Sequence, residues 1–316
     1  SNTWLFGLYV CKELLGVGEA YDNWEVRYST PAVQLVKDGD RVTGAIAKNP
    51  DGTYVRVNAS KGVLLATGGY DANPDMMKAW VRPEDYEYSS WWNPSWGTTG
   101  DGHMMGLKVG ADMDSLPQPV MNFSNATPST FVEKRVYFPG AMNFGIMVTE
   151  EGKRFTNENN PRQYAGNAIN LKIRQGHSVF TIFDEGMIGS AVESDAAKGQ
   201  LDRDEAKGHL FRAGSIGEVA QLAGIDAAAL EATIAEYNAL FEDGVERDPE
   251  YYRYTGNNKP FTGGTYYAMV TTNVVLATVG GLTINANAQV VDTSGNPIPG
   301  LYATGNASGS FYSGNY

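Results

Sequence analysis

Gly62 to Asn73, GVLLATGGYDAN, constrain this chain more than any other stretch. Val63, Leu64 and Leu65 form a short apolar run after Lys61-Gly62, a pattern that predicts a buried parallel strand. Thr67-Gly68-Gly69 ends that strand in a turn free of bulky Cβ groups, and Pro74-Asp75-Met76-Met77 predicts the first turn of a helix. A strand entering a Gly-rich turn at a helix N-terminus presents free backbone N–H groups, where a phosphate or a flat molecule can approach closely. Tight packing alone would use the same turn, so the rest of the chain has to decide.

With 316 residues, 42% of them hydrophobic, the chain can bury a large core and predicts roughly two domains. No apolar run approaches the ~18 residues that cross a bilayer. A net charge of -12 and a pI near 4.7 argue against nucleic acid and anionic membrane surfaces as partners. One cysteine, Cys11, excludes an intramolecular disulfide and any multi-cysteine metal or iron–sulfur site. His103, His177 and His209 lack metal-ligand spacing, so no metal is expected. Ser1-Asn2 reads as a scar of tag removal, which leaves the compartment open: cytoplasmic and secreted or periplasmic both fit.

Trp4 to Glu19 carries apolar residues at helical spacing. Trp24–Tyr28, Thr30–Val36, Val42–Ala47 and Tyr54–Val57 predict short strands, the last three joined by Asp38-Gly39-Asp40 and Asn49-Pro50-Asp51-Gly52 turns. The aromatic stretch from Trp80 to Trp96 either packs on itself or walls an apolar cleft. Thr98 to Ala111 predicts a Gly turn feeding a helix with Met104, Met105, Leu107 and Val109 inward. From Gly140 the composition changes. Strands at Ile146–Val148 and Val179–Phe183 precede two helices, one with Ser215 and Glu218 as a capping box and one capped by Asp226. Strand character returns at Tyr266–Val270, Gly280–Ile284, Val290–Val291 and Leu301–Ala303, which would rejoin the first unit. The expected fold is α/β plus α+β, a partial Rossmann-like domain over 1–139 and 274–316 interrupted by a capping domain over 140–273.

Four segments then act together: Ala66-Thr67-Gly68-Gly69, Thr99-Gly100-Asp101-Gly102, Gly152-Lys153-Arg154-Phe155-Thr156-Asn157-Glu158 and Gly300-Leu301-Tyr302-Ala303-Thr304-Gly305-Asn306. In this order and spacing they resemble the fumarate reductase/succinate dehydrogenase flavoprotein family, to which the 3-ketosteroid Δ1-dehydrogenases are related. The resemblance implies FAD as cofactor, touched by Val33, Ala66, Thr67, Gly68, Gly69, Asp101, Gly305 and Asn306. It also implies a strand–GxGxxG–helix unit ahead of Ser1 and a closing helix beyond Tyr316, so this stretch by itself is expected to hold FAD weakly or not at all.

The chemistry implied is addition or removal of hydrogen across a C=C bond next to a carbonyl. The reductase branch clamps a dicarboxylate with arginines and a histidine. Here the histidine position falls on Leu276 or Ala277, no arginine occurs between Arg174 and Arg203, and the late arginine falls on Tyr316, near Tyr312. The steroid branch carries a tyrosine at that last place, where a neutral phenol donates to the ring carbonyl; a terminal tyrosine with no such role reads equally well. Glu158 and Arg162 match a proton-relaying pair of the reductase branch, with Tyr164 two residues on, and a structural ion pair is the plainer reading of the same two. The favoured expectation is an FAD-dependent reductase of an apolar or aromatic enone, with Tyr316 polarising the carbonyl and Arg162 or Tyr164 handling the proton. The small-molecule substrate would be joined by an electron donor of unknown kind. The alternatives are a cofactor-free binding module on the same fold and a dicarboxylate reductase.

Overall fold

The computed structural model describes residues 3–91, 97–128, 145–189 and 195–312. Tyr316, the expected carbonyl donor, lies outside the described residues, as do Trp92 and Trp96 of the aromatic stretch.

Helix α1 spans Thr3–Glu19. Trp24–Tyr28, expected as a strand, is irregular, because the sheet that follows is complete without it. That sheet is an antiparallel meander of β1 (Ala32–Asp38), β2 (Arg41–Lys48) and β3 (Tyr54–Asn58). Gly39, at φ 55°, makes the two-residue turn that puts Asp38 opposite Arg41.

The constraining stretch forms β4 (Val63–Leu65), and its partner comes from the far end of the chain. Leu301, Tyr302 and Ala303 of β13 (Pro297–Ala303) pair in parallel with Val63, Leu64 and Leu65, and β12 (Gln289–Val291) flanks β13 antiparallel. The strand is parallel as expected but is not buried on both faces. Leu65 is 4% exposed and Leu64 57%, since the pleat turns Leu64 away from the core formed by Leu35, Val42, Leu65, Met105, Leu282 and Leu301.

After the turn, α2 (Pro74–Trp80) begins as its residues dictate: Pro74 opens the helix and Asn73 Oδ1 accepts the Met76 N–H at 3.1 Å. α3 (Pro83–Glu87) and α4 (Asp101–Lys108) follow. On α4 Met105 is buried, but Met104, expected inward, is 40% exposed because successive residues on a helix do not share a face. Trp80 and Tyr86 pack around Tyr70, Met77 and Val275, so this part of the aromatic stretch is core.

β11 (Thr272–Thr278) is the centre of a third sheet, parallel to β5 (Ser89–Trp91) and antiparallel to β6 (Val120–Ala126). The fourth sheet is antiparallel throughout, in the order β7 (Ile146–Thr149), β8 (Val179–Asp184), β10 (Tyr266–Val270), β9 (Leu210–Ala213). Tyr266–Val270 therefore does not rejoin the first unit. It lies between β8 and β9, and the Tyr267 ring stacks on Phe183 at 5.0 Å. Around this sheet run α5 (Arg162–Arg174), α6 (Glu185–Ile188), α7 (Asp195–Ala206), α8 (Ile216–Ala223) and α9 (Ala227–Glu242). Ser215 Oγ and Asp226 Oδ1 accept the first free N–H groups of α8 and α9, as their sequences predict. Ile146, Ile182, Phe183, Val219, Leu230 and Met269 make up the heart of its core, each worth about 1.5–3 kcal/mol when fully buried. Among the described residues no helix is long and apolar enough to cross a membrane.

Candidate active site

Four turns distant in sequence meet where β4, β11 and β13 end. Leu65 O accepts from Thr304 N at 3.0 Å, tying the strand end before Thr67 to the start of the Gly305-Asn306 turn. Gly100 N donates to Gly69 O at 3.2 Å and Ala72 N to Thr98 O at 3.0 Å, which clips the α4 entry onto the Thr67–Tyr70 turn. Thr278 Oγ1, at the end of β11, accepts the Tyr70 N–H at 3.0 Å. The approach of these backbones is possible only without side chains. A Cβ on Gly102 would strike Thr67 Oγ1, one on Gly69 would strike Thr278 Oγ1, and one on Gly281 would lie 2.6 Å from the Ser308 carbonyl carbon. Gly68 and Gly100, at φ 74° and 80°, turn the chain through left-handed backbone.

His103 locks the cradle from beneath. It is fully buried on α4, edge-on to Tyr70 at 5.2 Å, with Nε2 3.4 Å from Gly280 O. Burial lowers its pKa more than that carbonyl raises it, so the ring is neutral and its Nε2–H donates to Gly280 O. Burial, with the carboxylates of Asp114 and Asp71, pushes the Tyr70 phenol up, and its O–H donates to Gln118 Oε1 at 2.7 Å. Asp71 is itself 7% exposed, and burial pushes its carboxyl up to about 6. Asp114 joins two of the turns by accepting Gly281 N–H at 3.3 Å and Ser310 N–H at 2.8 Å. A cavity of about 570 Å³ opens between Asp114–Pro119 and the Ser310 and Tyr312 side.

The profile of the FAD binding domain family matches residues 9–316. The chain belongs to that family. It is 31% identical to urocanate reductase of Eggerthella lenta over 92% of its own length, which is 47% of that relative. It is 30% identical to the cytochrome-type fumarate reductase of Shewanella frigidimarina over 93% of its length, 48% of the relative. The chain thus spans about half the length of these relatives. Among solved structures, 3-ketosteroid Δ1-dehydrogenase of Sterolibacterium denitrificans matches 89% of the chain and 54% of its own, at 26% identity and a TM-score of 0.70. An open flavocytochrome c3 fumarate reductase matches 96% and 50%, at 27% identity and 0.66.

For an FAD-binding domain the cradle has the right parts. Thr67 Oγ1 is buried with no hydrogen-bond partner among the described residues, Asp101 and Thr99 stand at the N-terminus of α4, and Gly305 at φ 63° exposes the next backbone turn. Of the expected cofactor residues, Ala66, Thr67, Gly68, Gly69, Asp101, Gly305 and Asn306 lie on these converging turns. Val33 lies on β1, 42% exposed at an irregularity in the strand.

Of the expected catalytic set, Tyr316 lies outside the described residues, and Glu158, Arg162 and Tyr164 do not form one group. Glu158 does not turn its carboxylate to Arg162. It is 7% exposed and held by Arg154 at 2.8 Å, Arg253 at 3.0 Å and the Met147 N–H at 3.0 Å, while Arg154 also pairs with Asp248 at 2.5 Å. Burial pushes the Glu158 carboxyl up, but the charges of Arg253 and Arg154 outweigh it and hold the net pKa below the ordinary value. The pairing fails because α5 begins at Arg162 and turns Arg162 and Tyr164 outward, Tyr164 being 65% exposed, with Gln163 inward between them. Glu158 is consequently a structural anchor. Sequence reading missed Arg253, Asp114, Gln118 and the buried amides Asn122, Gln163 and Asn273. The one signal available was a polar residue inside an apolar strand at Asn122 and at Asn273.

Proposed function

We propose that this chain is the catalytic part of an FAD-dependent oxidoreductase that reduces a C=C bond next to a carbonyl in a neutral, apolar or aromatic enone. The observation that carries the reading is the four-turn cradle with its unpartnered Thr67 hydroxyl, in a member of the FAD binding domain family. Its relatives are reductases of urocanate and fumarate, an NADH:acrylate oxidoreductase of Vibrio harveyi and dehydrogenases of 4-oxocyclohexene carboxylate and ketosteroid substrates. Bound FAD supplies the two-electron redox chemistry, and Thr67, Gly69, Asp101 and Asn306 would hold it.

The remaining work falls to the chain's own side chains. Tyr316 donates a hydrogen bond to the substrate carbonyl, a task for a neutral phenol because enolate charge is stabilised without burying a cation. Arg162 and Tyr164 lie exposed on α5 and apart from Glu158, so the proton is assigned to neither of them. The 140–273 segment acts as the cap that closes over substrate, and an electron donor of a kind still to be identified supplies reducing equivalents.

The test is direct. The full-length protein should show flavin absorption bands, and after reduction with dithionite it should be reoxidised by cyclohex-2-enone and left reduced by fumarate. Rapid reoxidation by fumarate, or an enone that leaves the flavin reduced, overturns the reading.

A further inference from the structure

Where α5 covers β6 and β11, amide side chains are buried with atoms that bond to nothing among the described residues. Asn122 on β6 is 1% exposed with neither Oδ1 nor Nδ2 partnered. Asn273 on β11 leaves Oδ1 open, and on α5 Gln163 leaves Nε2 and Asn170 leaves Oδ1. These side chains are neighbours. Gln163 Oε1 accepts the Asn122 backbone N–H at 3.0 Å, and Asn170 and Asn273 both donate to Ser89 Oγ, at 3.1 and 3.0 Å. The helix comes down between the two asparagines at Gly166, where a Cβ would strike Asn273 Oδ1 and lie 3.5 Å from Asn122 Cβ.

Protein interiors satisfy nearly all buried polar atoms, so a concentration of open ones at one joint calls for a cause. The joint also lies beside the cradle. Asn122 pairs with Val275, and two residues back along β6 Val120 pairs with Thr278, whose hydroxyl holds the Thr67–Tyr70 turn; that is a distance of ~7 Å along the strand.

We infer that Asn122, Gln163 and Asn273 form a recognition site for an uncharged hydrogen-bonding group of the substrate, the carbonyl of a ketone or amide. The inference rests on the enone reading above and names the group recognised. Asn122 Nδ2 and Gln163 Nε2 are donors without partners, which a carbonyl oxygen satisfies with no charge taken out of water. A carboxylate at the same place would be desolvated among amides, a far greater penalty. If the amides served stability alone, leucine at Asn122 would serve better, since replacing an unsatisfied buried amide by an apolar group of similar size is neutral or stabilising. Sites kept for binding at the expense of stability show that signature.

The experiment compares wild-type, Asn122→Leu and Gln163→Met, each as the FAD-loaded full-length protein, by thermal unfolding and by calorimetric titration with cyclohex-2-enone and with acrylate. Wild-type should bind the enone and not acrylate. Asn122→Leu should raise Tm by about 2–4 °C and weaken enone binding at least tenfold, and Gln163→Met should weaken it in the same direction. An Asn122→Leu protein that melts lower, fails to fold or binds the enone within twofold of wild-type overturns the inference, as does wild-type binding of acrylate in preference to the enone. The two readings separate cleanly. Enone bound through Asn122 but never reduced supports the recognition site and removes the redox reading; enone reduced equally well by Asn122→Leu does the reverse.

Discussion

Replacing Glu158 by alanine should cost more stability than any other single carboxylate change among the described residues. The side chain is 2% exposed and accepts from Arg154 at 2.8 and 3.0 Å, from Arg253 at 3.0 Å and from Met147 N–H at 3.0 Å. Without it, Arg154 keeps Asp248, and Arg253, itself 1% exposed, keeps Asn159 at 2.8 Å and Gly145 O at 3.0 Å, but two buried guanidinium charges share one carboxylate. Removing one partner of a buried ion pair costs about 3–5 kcal/mol, which at about 2–4 °C per kcal/mol lowers Tm by roughly 6–20 °C. Because the folded pKa of Glu158 is depressed, its contribution is present above the pKa of the unfolded carboxyl and is lost as pH falls through the folded one. The gap between wild-type and Glu158→Gln should therefore close in acid. The assay is urea unfolding followed by tryptophan fluorescence from pH 7 downward, for Glu158→Ala, Glu158→Gln, Arg253→Met and the Glu158→Ala/Arg253→Met double variant. The double should be less destabilised than the two singles added together, since neither orphaned charge remains. Singles within about 1 kcal/mol of wild-type, against the 3–5 kcal/mol argued above, or strict additivity would refute the reasoning.

Gly69→Ala should drive a methyl into Thr278 Oγ1 and spread the cradle, losing about 1–3 kcal/mol of stability and, in the full-length protein, most of the bound flavin; the flavin-to-protein ratio after gel filtration reads it. Asp71→Asn should leave stability unchanged below about pH 4 and raise it by roughly 2–3 kcal/mol above pH 6, because a folded pKa near 6 makes the wild-type carboxyl increasingly unfavourable as pH rises through that window. Urea midpoints of both proteins across pH 4–7 check the sign. Tyr316→Phe should slow enone turnover by about two to three orders of magnitude with flavin content unchanged, and a variant as fast as wild-type removes Tyr316 from the mechanism.

The local punctuation of this fold is written in single residues. Asn73-Pro74, Ser215 and Asp226 start their helices where capping chemistry requires, and Gly39 makes the hairpin of the first sheet. The cradle was legible too, since Gly68, Gly69, Gly100 and Gly102 are needed wherever backbones meet closely. Pairings across long separations were not legible. Tyr266–Val270 is the same apolar run whether it joins β8 or the first unit, and the register with β8 and β9, with Tyr267 stacked on Phe183, is visible only in the fold. Glu158 and Arg162 stand four residues apart, yet Arg154, four residues the other way, and Arg253, remote in sequence, take that carboxylate, because spacing alone does not fix which guanidinium a buried acid will meet. Asn122 and Asn273 were not legible either, because only the closure of α5 over β6 and β11 buries their amides.

The distribution of charge bears on substrate choice more than any one residue does. The buried network spends Arg154 and Arg253 on Glu158 and Asp248, so these guanidinium groups are already neutralised within the protein. Around the cradle the field is of the opposite sign: the carboxylates of Asp114 and Asp71 are felt by the Tyr70 phenol strongly enough to help push its pKa up. A dicarboxylate approaching the end of β11 would meet charges of its own sign and, beyond them, amides in place of cations. Attraction between unit charges falls only as the inverse of distance and grows as water is excluded, so repulsion in a closed site is as consequential as an arginine clamp is in a dicarboxylate reductase. A ketone carries no charge into that field. It can satisfy the open donors of Asn122 and Gln163, so the carboxylates and the amides both support the neutral substrate we propose.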